Sequence, residues 1–263
     1  MKIKMSREVD LGKEPIGKLL LILALPSITS QVVNALYNMV DRMYIGHIDT
    51  IGSTALTGVG VCFPIIMIVS AFAYLLGMGG APRASIFMGK RKNEEAEKIL
   101  GNCFSSLLIV AILLTAVVLI FKEPLLYLFG ASEQTLPYAV QYIEIYAIGT
   151  VFVQLTLGMN AFISAQGFST ISMLTVVIGA ITNIILDPIL IYVLHMGVRG
   201  AAIATVTAQF ISCMWIVHFL SSEKSGIRIC LKDMRPDRQI LLSTCALGVS
   251  PCTFRINESI VVI

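Results

Sequence analysis

The stretch IYAIGTVFVQLTLGMNAFISAQGFSTISMLTVVIGAITNIIL, residues 145–186, contains no charged side chain. About 20 predominantly apolar residues suffice for a helix to cross a bilayer, so this stretch is long enough for two crossings. The Gln, Gly and Ser residues of the segment AQGFS, at 165–169, are typical of a turn. The stretch therefore predicts two membrane helices, over residues 136–165 and 169–194, joined by a short loop.

The same pattern recurs along the rest of the chain. Of 263 residues, 56% are hydrophobic and 13% are charged, whereas an average soluble domain has about 25% charged residues. Four more uncharged runs have the length of membrane helices: Leu19 to Val40, Ile51 to Pro82, Ile99 to Phe121 and Gly200 to Ser222. The sequence therefore predicts an all-α, polytopic integral membrane protein with six membrane helices, in contact with membrane lipid.

These runs divide the chain into four predicted segments. Residues 1–15 are expected to be a cytoplasmic N-terminal segment, and residues 16–222 a lobe of six transmembrane helices. Residues 223–238 are rich in charge and are interpreted as a cytoplasmic linker. Residues 239–263 begin a seventh apolar helix, which two charged residues near its end interrupt. We therefore expect only a truncated start of this seventh helix.

The basic residues predict the orientation in the membrane. Fifteen of the 19 Lys and Arg residues lie before the first helix, between the second and third, or after the sixth. The loops on the other side contain only Lys122 and Arg199. By the positive-inside rule, the N-terminus and the linker after the sixth helix are cytoplasmic. The chain is thus expected in the cytoplasmic (inner) membrane of the cell. Its net charge of +3 is explained by the basic residues of the cytoplasmic segments, so we expect no nucleic-acid partner.

The Cys and His residues do not indicate enzymatic chemistry. The six cysteines form no CxxC pair, so the sequence predicts neither a disulfide framework nor a zinc site. An intramembrane protease would need an activated nucleophile with a histidine partner. The histidines His47, His195 and His218 fall in or near loops or at a helix end, and there is no GxSxG stretch. We therefore expect no enzyme activity and no cofactor.

Two carboxylates fall in or beside predicted membrane helices, Asp41 in the first and Asp187 in the fifth. An Asp at the centre of a membrane helix costs about 3 kcal/mol on insertion scales, so such a group usually faces a cavity or a partner. Tyr37 precedes Asp41 by four residues, and Asn183 precedes Asp187 by four. Residues four apart share one helix face, so each carboxylate has a polar neighbour one turn away.

Counting residues at 1.5 Å each places these groups at similar depths. Asp187 lies about 26 Å from the cytoplasmic end of its helix, and Asp41 about 35 Å from the end of its own. Thr205, on the antiparallel sixth helix, lies about 9 Å from the outer face. The two acids, the Asn183 amide and the Thr205 hydroxyl are therefore expected to converge. Oxygen ligands suit a hard cation such as Na⁺, and two close carboxylates suit a proton.

Structural explanations of the same residues remain open at this point. Asp187 is followed by a proline, which removes a backbone donor and disfavours helix before it, so Asp187 could mark a helix end or kink. Asp41 and Arg42 could be an interfacial pair at a helix end. Tyr142 could be an interface anchor. Counting residues along the fourth helix places Asn160 nearer the cytoplasm than Asp41 and Asp187.

Four segments of the chain resemble the multidrug and toxic compound extrusion (MATE) family. In chain order they are QVVNALYNMVDRMYIGHI, GAPRASIFMGKRKNEEAEKILGN, NAFISAQGFSTISML and NIILDPILIYVLHMGVRGAAIATVTAQ. The similarity extends from about residue 16 to residue 263 with spacing like that of the family. MATE proteins have twelve helices in two six-helix lobes, and they export drugs and organic cations in exchange for Na⁺ or H⁺.

The resemblance implies that this chain is the N-terminal lobe of a twelve-helix MATE-type transporter plus the start of helix seven. Its implied partners are a small-molecule drug or organic cation and the missing C-terminal lobe, and Na⁺ and H⁺ both stay open as the coupling ion. The cation-binding residues of the family fall on Asp41, Asn183, Asp187 and Thr205, with a supporting polar network of Tyr37, Tyr142 and Asn160.

The alternative function is a lipid or polysaccharide flippase of the same superfamily. Such a protein would share the helical plan, but it should line its cavity with several basic residues that bind anionic lipid-linked substrates. The predicted membrane helices contain almost none. Export of drugs or organic cations is therefore the preferred interpretation.

Overall fold

The structure, a computed structural model, describes residues 16–48 and 51–261. The predicted N-terminal segment 1–15 and the last two residues lie outside this range. The described part is all-α and contains no strand. Its α-helices are α1 (Ile16–Gly46), α2 (Gly52–Gly89), α3 (Asn93–Ile120), α4 (Lys122–Leu128), α5 (Leu136–Ala165), α6 (Ser169–Pro188), α7 (Val198–Ser221) and α8 (Arg238–Val261).

Six of the described helices are long and apolar enough to cross a membrane, which confirms the predicted number. They are α1, α2, α3, α5, α6 with the turn that follows it, and α7. We call the end of the lobe that contains the α2–α3 and α5–α6 loops the inner end, and the opposite end the outer end. The chain is therefore a multi-pass membrane protein.

Two helices are longer than the uncharged runs that predicted them. The first run ends at Val40, but α1 continues to Gly46 and includes both Asp41 and Arg42. The second run ends at Pro82, and α2 continues to Gly89. A helix end can project beyond the hydrocarbon while keeping its hydrogen bonds, so uncharged runs underestimate helix length. Asp41 consequently lies inside a helix and not at its end.

One face of α1 carries large apolar side chains that are more than half exposed. They include Leu21, Leu25, Ile28, Val32 and Leu36. Soluble monomers rarely expose so many neighbouring large apolar side chains. These side chains are suited to contact with lipid tails, while the opposite side of α1 packs mainly against α6.

α2 and α5 form the centre of the lobe. They approach so closely that a Cβ added to Gly77 would lie 2.6 Å from the Gly158 carbonyl oxygen and 2.7 Å from its Cα. One buried apolar cluster, which includes Phe162 and Leu100, fills the inner half of the lobe, and a second, which includes Ile143, fills the outer half. Small residues at membrane helix contacts permit this close backbone packing.

α8 packs along α2, and it differs from the expectation of an interrupted helix. Its contact with α2 is close, because a Cβ on Gly248 would lie 1.9 Å from the Leu75 carbonyl oxygen. Arg255 and Glu258 do not interrupt α8, since they pair with each other at 2.7 Å. The Arg255 guanidinium also donates to the Tyr74 hydroxyl at 3.0 Å. This pairing explains how the helix continues through both charges.

The segment between α7 and α8, predicted as a linker, is attached to the lobe. The Gln166 side-chain oxygen accepts hydrogen bonds from the Ser225 hydroxyl at 3.0 Å and from the backbone N–H groups of Gly226 at 2.9 Å and Ile227 at 3.3 Å. Ile227 is completely buried. One amide at the inner end of α5 therefore holds the first half of this connection.

The second half of the connection is attached to α3. The Asn102 amide donates to the Asp233 carbonyl at 3.2 Å, and Gly101 lets the same backbone approach closely. A Cβ on Gly101 would lie 2.7 Å from the Asp233 carbonyl oxygen. The Asp237 carboxylate then accepts from the Gln239 backbone N–H at 2.8 Å, near the start of α8. The connection is thus an ordered part of the lobe.

Candidate cation site

The predicted site begins on one face of α6. Asp187 is fully buried and Asn183 is 1% exposed. The Asn183 amide nitrogen donates to the Asp187 carboxylate at 3.2 Å and lies 3.5 Å from the Thr205 hydroxyl oxygen on α7. Three of the four residues expected to bind a cation are therefore adjacent, as the counting of helix depth predicted.

Asp41 enters the same site from α1. It is 9% exposed, and its carboxyl group lies within hydrogen-bonding reach of that of Asp187. Asp41 Oδ1, Asp187 Oδ2 and Asn183 Oδ1 are buried, and no described residue donates a hydrogen bond to them. Buried acceptors without donors are costly. A cation or a shared proton would satisfy these oxygens, and hard oxygen ligands are suited to Na⁺ as well as H⁺.

The proline after Asp187 does not end the membrane span. The α-helix continues through Pro188 and is followed by a π-helical turn, Ile189–Val193. A wider turn of this kind accommodates a position where the regular hydrogen-bond pattern is broken, and such turns are frequent at functional sites. The structural alternative of a helix end therefore does not explain Asp187, which lies inside a continuous helical span.

Two tyrosines of the expected supporting network surround the carboxylates. Tyr142 on α5 is 4% exposed and lies close to Thr205 and Asp41. It is therefore buried inside the lobe and is not an interface anchor. Tyr37, one turn before Asp41 on α1, lies within electrostatic range of both Asp41 and Asp187.

Asn160 is not brought to the carboxylates. Its amide nitrogen lies 3.3 Å from the Ser172 carbonyl oxygen, near the inner end of α6. Asp187 lies 15 residues beyond Ser172, which corresponds to about 22 Å along the helix. Asn160 therefore lines the same cavity at a different depth, as the residue count along the sequence had indicated.

Asp41, Asn183 and Asn160 line one cavity of about 1030 Å³, and the fully buried Asp187 adjoins it through its hydrogen bond with Asn183. Its wall includes two arginines that sequence reasoning did not assign to the site, Arg42 and Arg255. Each guanidinium lies 4.7 Å from the centre of an aromatic ring on α2, Arg42 over Phe63 and Arg255 over Tyr74. Such cation–π contacts hold a charge against an apolar wall.

A sequence signal for this pair of contacts does exist. Phe63 and Tyr74 are eleven residues apart, and eleven residues make about three helical turns, so both rings must lie on one face of α2. The identity of the two arginines above these rings was not predictable, because Arg42 comes from α1 and Arg255 from α8.

A separate group of potential metal ligands lies at the inner end. One ligand atom each from Glu97, Cys230 and Asp233 lies within 4.8 Å of the others. The Glu97 carboxylate already accepts a hydrogen bond from the Arg228 backbone N–H at 3.1 Å. The sequence contained no signal for this group, because its members come from α3 and from the connection before α8.

Comparison with known proteins places the chain in a family. The family model described as MatE matches residues 26–189. The multidrug export protein MepA of Staphylococcus haemolyticus is 26% identical over 89% of this chain and 51% of its own length. MepA of Staphylococcus aureus is 22% identical over 90% of this chain and 52% of its own length. The chain thus spans about half the length of the curated relatives it matches.

Solved structures agree with this match. A MOP superfamily transporter from Pyrococcus furiosus is 27% identical, with a TM-score of 0.88 over 98% of this chain and 56% of that protein. An outward-facing multidrug resistance MATE family transporter of the MOP superfamily is also 27% identical, with a TM-score of 0.87, and the match covers 98% of this chain and 56% of that protein. The relatives are membrane transporters, and the predicted N-terminal lobe fold is confirmed. The chain belongs to the MatE family.

Proposed function

We propose that this chain forms one lobe of a secondary transporter that exports drugs or organic cations in exchange for Na⁺ or H⁺. The observation that carries the proposal is the buried pair of carboxylates, Asp41 and Asp187. Asp41 lines a cavity of about 1030 Å³, as does Asn183, which donates a hydrogen bond to Asp187. The curated relatives, which are multidrug export proteins, support the same conclusion.

The carboxylates carry the coupling step in this proposal. A cation or proton bound between Asp41 and Asp187 neutralises charge that is otherwise costly inside the membrane. An ion can drive transport only if it binds two conformations of the protein with different affinity. Asn183 and Thr205 contribute neutral groups beside the carboxylates, and they orient the Asp187 side chain through the hydrogen bonds of Asn183.

The cavity also supports binding of the exported compound. Its volume is at the upper end of the range for small-molecule sites, about 300–1,000 Å³. Aromatic and Met side chains such as Phe63, Tyr74 and Met78 line it, and such walls adapt to ligands of different shape. Vectorial transport in this proposal requires a second lobe, because alternating access depends on the movement of two halves around one site.

A lipid or polysaccharide flippase is not favoured. The curated relatives of this chain are multidrug export proteins. Arg42 and Arg255 line the cavity, but Arg255 is paired with Glu258, so this wall does not present the several free cations that a site for anionic lipid-linked substrates needs.

Dye efflux tests the proposed function. Cells that express the intact transporter, comprising this lobe and a second lobe, are expected to accumulate less ethidium than cells with an empty vector. Dissipation of the Na⁺ gradient or of the H⁺ gradient should identify the coupling ion, because only one of these treatments should restore accumulation. Equal ethidium accumulation with and without the well-expressed transporter would contradict the proposal.

The orientation is tested on this chain by cysteine labelling. We propose a cytoplasmic N-terminus in the cytoplasmic membrane, from the distribution of basic residues. Lys92 and Ser132 are exposed, in the α2–α3 loop and before α5. Lys92→Cys should react with an impermeant maleimide only in inside-out vesicles, and Ser132→Cys only in right-side-out ones. The native Cys103, fully buried, should stay unlabelled in both. The reverse pattern would refute the orientation.

A further inference from the structure

A ring of uncharged polar side chains joins α5, α6 and α7 in the inner half of the cavity. We call it the inner polar ring, and its members are Thr156, Asn160, Ser172, Thr175, Gln209 and Ser212. The Asn160 amide nitrogen lies 3.3 Å from the Ser172 carbonyl oxygen and so connects α5 with α6. The Ser212 hydroxyl donates to the Thr175 carbonyl at 3.1 Å and connects α7 with α6.

A third contact closes this ring. The Thr156 hydroxyl lies 3.3 Å from the Gln209 carbonyl oxygen and connects α5 with α7. Thr156 lies one turn from Asn160 on α5, and residues four apart share a helix face. The polar groups of the three helices therefore surround one region, which lies between the carboxylates and the inner ends of the helices.

The inner polar ring is continuous with the carboxylate site. Along α6 the polar or small residues Ser172, Thr175, Gly179, Asn183 and Asp187 follow at intervals of three or four, so they lie on one face. Gly179 permits a close approach by α7, because a Cβ at this position would lie 2.6 Å from the hydroxyl oxygen of Ser212. Polar or small residues thus line this face of α6 from Asp187 towards the inner end.

The chemistry of the ring differs from that of the carboxylate site. Asn160 Oδ1 and Gln209 Oε1 are buried, and among the described residues neither has a hydrogen-bond donor. Free neutral oxygens of this kind bind water or a monovalent cation. Conduction requires sites that are favourable enough for an ion to enter and weak enough for it to leave. A ring without carboxylates meets the second condition, because no fixed charge retains the ion.

We propose that the inner polar ring is a second, uncharged site for a small monovalent cation, Na⁺ or hydronium, through which the coupling ion passes between Asp187 and the inner end of the lobe. This inference rests on the proposed function and extends it with a route for the ion inside a single lobe. The ion then leaves along the polar groups of α5, α6 and α7.

The inner polar ring could instead have a purely structural role, in which case ions would not reach its side chains. Hydrogen bonds between hydroxyls and carbonyls also hold membrane helices together without any ion. Thr150 on α5 supplies a matched comparison with Thr175. Both are completely buried, and the hydroxyl of each donates to the carbonyl oxygen four residues earlier. Thr175 lines the cavity, whereas Thr150 is not among the cavity-lining residues.

The test is the accessibility of a cysteine to Ag⁺ in a background in which the six native cysteines are replaced by Ala. Thr175→Cys is expected to react about tenfold faster than Thr150→Cys, because a thiolate forms and binds metal only where water and ions reach it. The readout is the fraction of thiols that still react with a fluorescent maleimide after denaturation. Ser212→Cys is a second reporter and should also react quickly.

The identity of the cation is read from the same labelling. If Na⁺ but not choline slows the reaction of Thr175→Cys, the ring binds Na⁺; fast labelling that Na⁺ does not change indicates a hydrated route for protons. Both results support the proposal. If Thr175→Cys and Ser212→Cys react as slowly as Thr150→Cys, the ring is structural and the proposal is overturned. The labelling needs no transport activity, so a failed efflux assay would contradict only the proposed function.

Discussion

Asp187→Asn is expected to abolish ion-driven efflux by the intact transporter, and Asp41→Asn is expected to have the same effect. A carboxylate changes its charge when it binds a cation or a proton, whereas its isosteric amide does not. The ion therefore loses its preference for one conformation. Coupling free energies of 1–3 kcal/mol correspond to factors of about 5–150, so the efflux rate should fall by up to about two orders of magnitude. The measurement is efflux of a cationic dye under an imposed ion gradient.

The neutral ligands should matter less than the carboxylates. Asn183→Ala and Thr205→Ala each remove one neutral group worth about 1 kcal/mol, so a loss of about fivefold in rate is expected. Glu144→Gln is the matched control, because Glu144 is an acid of α5 that pairs with Lys122 away from the cavity. It should keep the wild-type rate. Wild-type efflux by Asp187→Asn at matched expression would show that this carboxylate is structural.

Gly77→Ala is expected to destabilise the lobe strongly. The new Cβ would lie 2.6–3.0 Å from three backbone atoms of Gly158, and backbone cannot move aside as a flexible side chain can. Overpacking of this kind costs about 1–3 kcal/mol. The midpoint of thermal unfolding in detergent, followed by size-exclusion chromatography, should therefore fall.

Gly60→Ala is the matched control for this substitution on the same helix. A Cβ on Gly60 would have no neighbour within 4 Å. Ala is a better helix former than Gly by up to about 1 kcal/mol, so this variant should be as stable as the wild type or more stable. Equal unfolding midpoints for Gly77→Ala and Gly60→Ala would show that the contact between α2 and α5 is looser than the structure indicates.

The general plan of the fold could be predicted because the bilayer sets helix length. The uncharged run over residues 145–186 predicted α5 and α6 almost to their ends, since a turn signal divides it. Depth counting also brought Asn183 and Asp187 to the level of Thr205, because regular helices convert residue number into distance. The same counting separated Asn160 from the carboxylates.

Features that depend on pairing between distant residues could not be predicted. Charge alone suggested that α8 breaks near Arg255, whereas the structure compensates this charge with Glu258 and with Tyr74 of α2. The position of Arg42 in the cavity wall likewise depends on a distant residue, because its guanidinium lies over the aromatic ring of Phe63 on α2. The ion-binding role of the carboxylates stays a prediction, which the substitutions above test.

The attachment of the segment between α7 and α8 has a mechanical consequence. A flexible linker would let α8 move independently of the other helices, but this connection is hydrogen-bonded to Gln166 at one point and to Asn102 at another. Each of these hydrogen bonds contributes about 1 kcal/mol, so displacement of the start of α8 must break several of them at once. The start of α8 is therefore fixed relative to α3 and α5, and a movement of this helix has to carry the inner end of the lobe with it.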